Sequence, residues 1–135
     1  MPDPVGIRAA GLRQPFRARS RWASVGHAWQ GLRDVWKTQL NFRIQVAAGA
    51  VTIVLGVWLH LVFIEWLWVS FAIGLVLFAE LMNTAIEQTV DFVVGAQYDP
   101  FARQVKDVAA GCVLAAAVIA GAIGALTFGQ HLLTG

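Results

Sequence analysis

The sequence predicts an all-α membrane protein, with an N-terminal amphipathic surface helix ahead of three transmembrane helices. Three observations carry that prediction. Of the 135 residues, 58% are hydrophobic and only 13% are charged, about half the charged share of an average soluble domain. Three apolar stretches of membrane-crossing length follow one another. Basic residues are unevenly placed: Arg8, Arg13, Arg17, Arg19, Arg21, Arg33, Lys37 and Arg43 all precede the first apolar stretch, and Arg103 and Lys106 share one later loop. A soluble fold is disfavoured, because so short a chain leaves much of its surface in water and has too few polar residues to cover it.

Residues 1–20 mix prolines, glycines and arginines without apolar periodicity. They read as a mobile basic tail, either drawn to anionic head groups or without a role. Residues 21–135 form the single membrane-embedded domain. No secretory signal is expected, since the first apolar run, near residue 44, is too long for a signal-peptide core. Cys112 is the sole cysteine, which excludes a disulfide framework and reads as an inert buried thiol.

Over residues 22–38, Trp22, Val25, Trp29, Leu32 and Trp36 recur every three or four positions, the spacing of one helix face. Ser24, Gln30, Arg33 and Lys37 fall elsewhere on the wheel. Tryptophans on one side and cations on another suit a helix lying in the membrane interface. Packing on other protein is the alternative.

Residues 44–63 are apolar over about 20 positions, the length that spans a hydrocarbon core of roughly 30 Å. Residues 66–94 form a longer second span. Residues 108–128 are rich in Ala and Gly, which let helices approach closely in lipid. Short Lys/Arg-rich segments stay cytoplasmic, so the N-terminus and the 95–106 loop are expected inside. The 60–65 turn and the C-terminus are expected outside, with Trp58, Trp66 and Trp68 forming an aromatic belt around that turn.

The second span carries AELMNTAIEQTVDF, residues 79–92. At 100° per residue Glu80, Asn83, Glu87 and Asp91 share a sector of roughly 80°. A charged side chain at mid-bilayer costs about 2.5–3.5 kcal/mol, so such a stripe is expected to face protein or water and marks a functional site. Counted from Trp66 at 1.5 Å per residue, Glu80 lies roughly 21 Å and Glu87 roughly 32 Å along the helix. The stripe therefore rises from the lipid boundary toward the cytoplasm.

Paired carboxylates there have two uses: holding a hard cation such as Mg²⁺, and taking a proton from a hydroxyl. Both fit phosphoryl transfer, which needs neutralised phosphate oxygens and a positioned nucleophile. Lys106 and Asp107 add a cation and an acid at the same face. For Asn83 and Thr84 alone, a helix-gluing role is an equal alternative. A proton or cation transport component, or a membrane scaffold, would use the same stripe differently, but no acid continues it through the first or third span.

AELMNTAIEQTVDF followed by VKDVAAGCVLAA resembles the prokaryotic diacylglycerol kinase family, including its undecaprenol kinase branch. GHAWQGLRDVWKTQLNFRIQ, residues 26–45, looks like that family's surface helix and the approach to its first span. The resemblance runs from about Val25 to Phe128. It implies an ATP- and Mg²⁺-dependent lipid kinase of the bacterial cytoplasmic membrane, a homotrimer with active sites shared between neighbouring subunits, and no nucleic-acid partner. By motif position it implies Glu80 as the general base on the lipid hydroxyl and Glu87 as metal ligand and nucleotide contact. Lys106, Asp107 and Tyr98 match nucleotide-binding positions, with Asn83 and Asp91 as supporting polar residues.

The chain departs from the family pattern at Gln39, where a second metal-binding Glu is usual. An amide is a weaker Mg²⁺ ligand than a carboxylate, which leaves compensation to Asp91 or a nucleotide phosphate. His27 stands where an aromatic Tyr is familiar in the diacylglycerol branch. NFRIQ, the Glu65-Trp66 pair and NTAIE look more like the undecaprenol branch, so a long-chain polyprenol is the favoured acceptor and diacylglycerol the alternative.

Overall fold

A computed structural model describes residues 21–95 and 97–134. The expectation for the basic tail, residues 1–20, lies outside the described residues. The chain divides into two compact units, residues 1–32 and 33–135. In the first, the described residues belong to helix α1, Arg21–Thr38, whose Trp22, Val25, Trp29 and Leu32 are all exposed.

The second unit contains the end of α1 and three helices long and apolar enough to cross a membrane: α2, Leu40–Trp58; α3, Phe63–Val94; and α4, Pro100–Thr134. The protein is thus an all-α, multi-pass membrane protein. Helix α3 packs on both α2 and α4, and most extensively on α4.

Helix α2 starts before the residue 44 expected from hydropathy. Gln39 is extended, at φ −106° and ψ 106°, so the chain breaks there. Its N–H still bonds to the Val35 carbonyl at 2.8 Å, closing α1. Its carbonyl accepts from the Arg43 N–H at 3.4 Å, opening α2. The break takes one residue, and the polar first turn of α2 is invisible to a hydropathy window.

Helix α2 also stops at Trp58, short of the expected residue 63. Leu61 N–H donates to the Gly56 carbonyl at 3.1 Å and His60 N–H to that of Val57 at 3.2 Å. This is a Schellman cap. His60 occupies its left-handed position at φ 55°, a place that normally favours glycine. Leu61 is then buried and presses with Trp66 onto Gly56, where an added Cβ would lie 3.0 Å from Leu61 Cδ1 and 2.9 Å from Trp66 Cη2.

Helix α3 begins at Phe63, three residues before the expected Trp66. Glu65 Oε2 accepts the Val62 backbone N–H at 2.9 Å, so the carboxylate satisfies a donor at the helix start. Valine offers no acceptor in return, and only this half of a capping box forms. At about 1.5 Å per residue, the 32 residues of α3 exceed the thickness of a bilayer core.

Helix α3 ends at Gly95, whose φ of 64° suits a residue without Cβ and whose N–H reaches the Asp91 carbonyl at 2.9 Å. The expected loop is much shorter than 95–106, because α4 starts at Pro100 instead of 108. Asp99 Oδ1 accepts the Ala102 N–H at 2.8 Å. An Asp N-cap followed by Pro at the first helical position is a strong start signal, and Arg103, Lys106 and Asp107 therefore ride on a helix.

The face that α3 buries runs Val69, Ala72, Val76, Glu80, Asn83 and Thr84. Its counterpart on α4 is Ala102, Ala109 and Ala116, each seven residues apart and buried. Alanine at every second turn lets α4 lie close against α3. Cys112 is exposed on α4, which corrects the expectation of a buried thiol: an apolar neighbourhood in a spanning helix faces lipid as readily as protein.

Candidate active site

The buried face of α3 turns polar midway. Above it stand Val69, Ala72 and Val76; then come Glu80 at 4% exposure, Asn83 at 8% and Thr84 at 2%. The 3.6-residue period alone carries these side chains onto the face that α4 covers. Burial then falls away, with Glu87 half-buried and Asp91 exposed.

Glu80 makes no hydrogen bond to any described residue. A carboxylate out of water normally gathers donors, so its lone pairs are available to a hydroxyl brought to it. One turn on, Asn83 Nδ2 donates to Glu87 Oε1 at 3.2 Å. That bond orients the Glu87 carboxylate and leaves Asn83 Oδ1 buried without a donor among the described residues. Glu80 and Glu87 stand seven residues apart, roughly 10 Å along the helix axis.

At the end of α3, Lys106 Nζ of α4 bonds to Asp91 Oδ1 at 2.9 Å. Asp107 is exposed and pairs with Arg103, also exposed on α4, at 3.7 Å. Tyr98, in the segment between α3 and α4, is exposed. Gln39 sits half-buried at the break between α1 and α2, with backbone hydrogen bonds to Val35 and Arg43. The structure thus joins Asn83 to Glu87 and Asp91 to Lys106 by hydrogen bonds, and places Glu80 on the same buried face. It shows no bond from these residues to Asp107, Tyr98 or Gln39.

Magnesium, implied by the resemblance, meets a donor set of the right chemistry. The Glu87 carboxylate and the orphaned Asn83 Oδ1 are oxygen donors, and Mg²⁺ is ordinarily held by one or two carboxylates plus substrate phosphates. Among the described residues, no three His, Cys, Asp or Glu side chains converge on one point.

Two contacts have no direct signal in the sequence. Asp91 and Lys106 are fifteen residues apart, and opposite charges bracketing a short turn are the only hint of their pairing. His131 Nε2 lies 3.1 Å from both carboxylate oxygens of Glu65, joining residues that are 66 apart in sequence. No local pattern foretells it.

A three-span helical protein with acids on the buried face of its central helix belongs to a restricted class of membrane enzymes and transporters. Residues 26–128 match the prokaryotic diacylglycerol kinase family. The chain is 36% identical over 134 residues to the diacylglycerol kinase of Synechocystis sp., covering 91% of this chain and 76% of that protein. It is 39% identical over 105 residues to the undecaprenol kinase of Bacillus subtilis, covering 78% and 85%. To the diacylglycerol kinase of Escherichia coli it is 31% identical over 97 residues, covering 72% and 79%. The chain belongs to the prokaryotic diacylglycerol kinase family and is a phosphotransferase with an alcohol acceptor.

Proposed function

We propose that the protein moves the γ-phosphate of ATP, with Mg²⁺, onto the hydroxyl of a membrane lipid, with undecaprenol favoured over diacylglycerol as acceptor. The observation that carries this reading is Glu80: a buried carboxylate with no hydrogen-bond donor among the described residues, on a helix whose acids become more exposed toward one end. The lipid hydroxyl gives its proton to Glu80, and its oxygen forms the new bond to the γ-phosphorus while the bond to the β-γ bridging oxygen breaks and ADP leaves. Glu87, oriented by Asn83, would hold Mg²⁺, which when bound neutralises phosphate oxygens. Lys106 and Asp107 contact the nucleotide, with Tyr98 beside it.

The site lies in the cytoplasmic membrane of a bacterial cell, with the N-terminus cytoplasmic and the C-terminus outside. The protein acts as a homotrimer whose subunits share active sites. Gln39 contributes a neutral amide where the family pattern has an acid, and Asp91 or a nucleotide phosphate would compensate for the weaker ligand. The acceptor preference rests on NFRIQ and NTAIE; named relatives of both kinds are similar to this chain.

The test is purified protein in detergent with labelled ATP and Mg²⁺, offered undecaprenol and diacylglycerol side by side. Undecaprenyl phosphate is expected to accumulate faster, and phosphorylation of neither lipid would sink the reading. Glu80→Gln is expected to lower turnover about 10²–10⁴-fold, the usual worth of a positioned general base, with the folded oligomer retained. Wild-type turnover in that variant would remove Glu80 as the base.

A further inference from the structure

We propose that Asp91 is a positioning residue for the reaction, holding the Lys106 ammonium where the nucleotide phosphates reach it. The proposal rests on the reading of Lys106 as a nucleotide contact. Lys106 Nζ is 2.9 Å from Asp91 Oδ1, and the two side chains are 35% and 61% exposed. Both backbones are fixed at this point. The Asp91 carbonyl accepts the Gly95 N–H that closes α3, and the Asp99 side chain caps the first turn of α4, one turn before Lys106.

Stapling the two helices is a poor explanation for the pair. An exposed ion pair adds little to stability beside the apolar contact between α3 and α4. Ordering the side chain is a better one. A free lysine samples many rotamers, and a phosphate that must capture a mobile ammonium bears that entropy loss on binding. With Asp91 in place the loss is already taken.

Donor capacity supports the same role. An ammonium has three N–H donors and no acceptor. Asp91 uses one, so two remain for phosphate oxygens and the carboxylate need not be displaced. The nearest other cation on this turn, Arg103, is engaged by Asp107 at 3.7 Å. Asp91 therefore acts through Lys106, whereas Glu87 keeps its carboxylate for the metal.

The experiment is steady-state kinetics in lipid-containing micelles on the full chain, with Asp91→Ala, Asp91→Asn, Lys106→Met and the Asp91→Ala/Lys106→Met double variant. Thermal unfolding of each is followed in parallel. Asp91→Ala is expected to raise KM for ATP about three- to tenfold, with kcat within twofold and the midpoint unchanged. Asp91→Asn, which keeps a carbonyl acceptor, is expected to fall between it and the wild type, and it keeps the test readable should the alanine variant not fold. In the Lys106→Met background the Asp91 change is expected to add nothing, since coupled residues are non-additive. Unchanged or lowered KM in both Asp91 variants overturns the positioning role while a raised KM in Lys106→Met leaves the nucleotide reading standing. A wild-type KM in Lys106→Met overturns that reading and the proposal with it. Loss of kcat and thermal midpoint together, with KM unmoved, marks a structural role and also overturns it.

Discussion

Asn83 is the residue on which the site's geometry turns. Its amide N–H₂ serves Glu87, and its carbonyl is buried without a partner among the described residues. A buried unsatisfied carbonyl costs about 1–3 kcal/mol, so Asn83→Ala is expected to leave the thermal midpoint unchanged or raised. The same variant frees the Glu87 carboxylate, and turnover is expected to fall about tenfold, equivalent to about 1.4 kcal/mol in the barrier. A lowered midpoint with full turnover would show that Asn83 only glues helices. At this scale the acids and amide of α3 were legible in the sequence, because a charge inside an apolar run has no inexpensive alternative explanation. Arg103 and Asp107 stand at the i,i+4 spacing of a helical ion pair, whereas the partners of Asp91 and Glu65 were not legible. Each partner is set by where another helix starts or by side-chain rotamers, and neither is written in periodicity.

Helices were legible as elements and less so at their ends. Hydropathy found the three spans and the amphipathic α1, but it placed the start of the third helix eight residues late, since a polar first turn contributes nothing to an apolar average. The Asp99-Pro100 dipeptide held the correct boundary, being a capping signal and not a hydropathy signal. The end of α2 was harder to foresee, because its left-handed cap falls on His60 where a glycine would have announced it. That choice costs the element roughly 1 kcal/mol. His60→Gly is accordingly expected to raise stability by about that amount, read as a higher thermal midpoint in detergent. A fall would show that the His60 side chain contributes more than the backbone conformation costs.

At the scale of the molecule, the distribution of Lys and Arg makes a directional prediction. The turn at residues 59–62 is expected outside the cell and Tyr98 inside. In a Cys112→Ser background, His60→Cys is expected to react with a membrane-impermeant maleimide on intact cells, and Tyr98→Cys only after permeabilisation. The reverse pattern would invert the proposed orientation and separate Glu87 from cytosolic ATP. The α3–α4 pair is also fastened near both ends: Asp91 to Lys106 at one, Glu65 to His131 at the other. Such pairs add little to stability, so the axial register rests on the packed face, where Ala102, Ala109 and Ala116 of α4 are buried. Sliding α4 along α3 by a single residue, about 1.5 Å, would move each of these alanines off its seat. The depth of Glu80 relative to Lys106 is then held by helix packing, and in the proposed reaction it serves as a ruler between the level of the lipid hydroxyl and the level of the nucleotide phosphates.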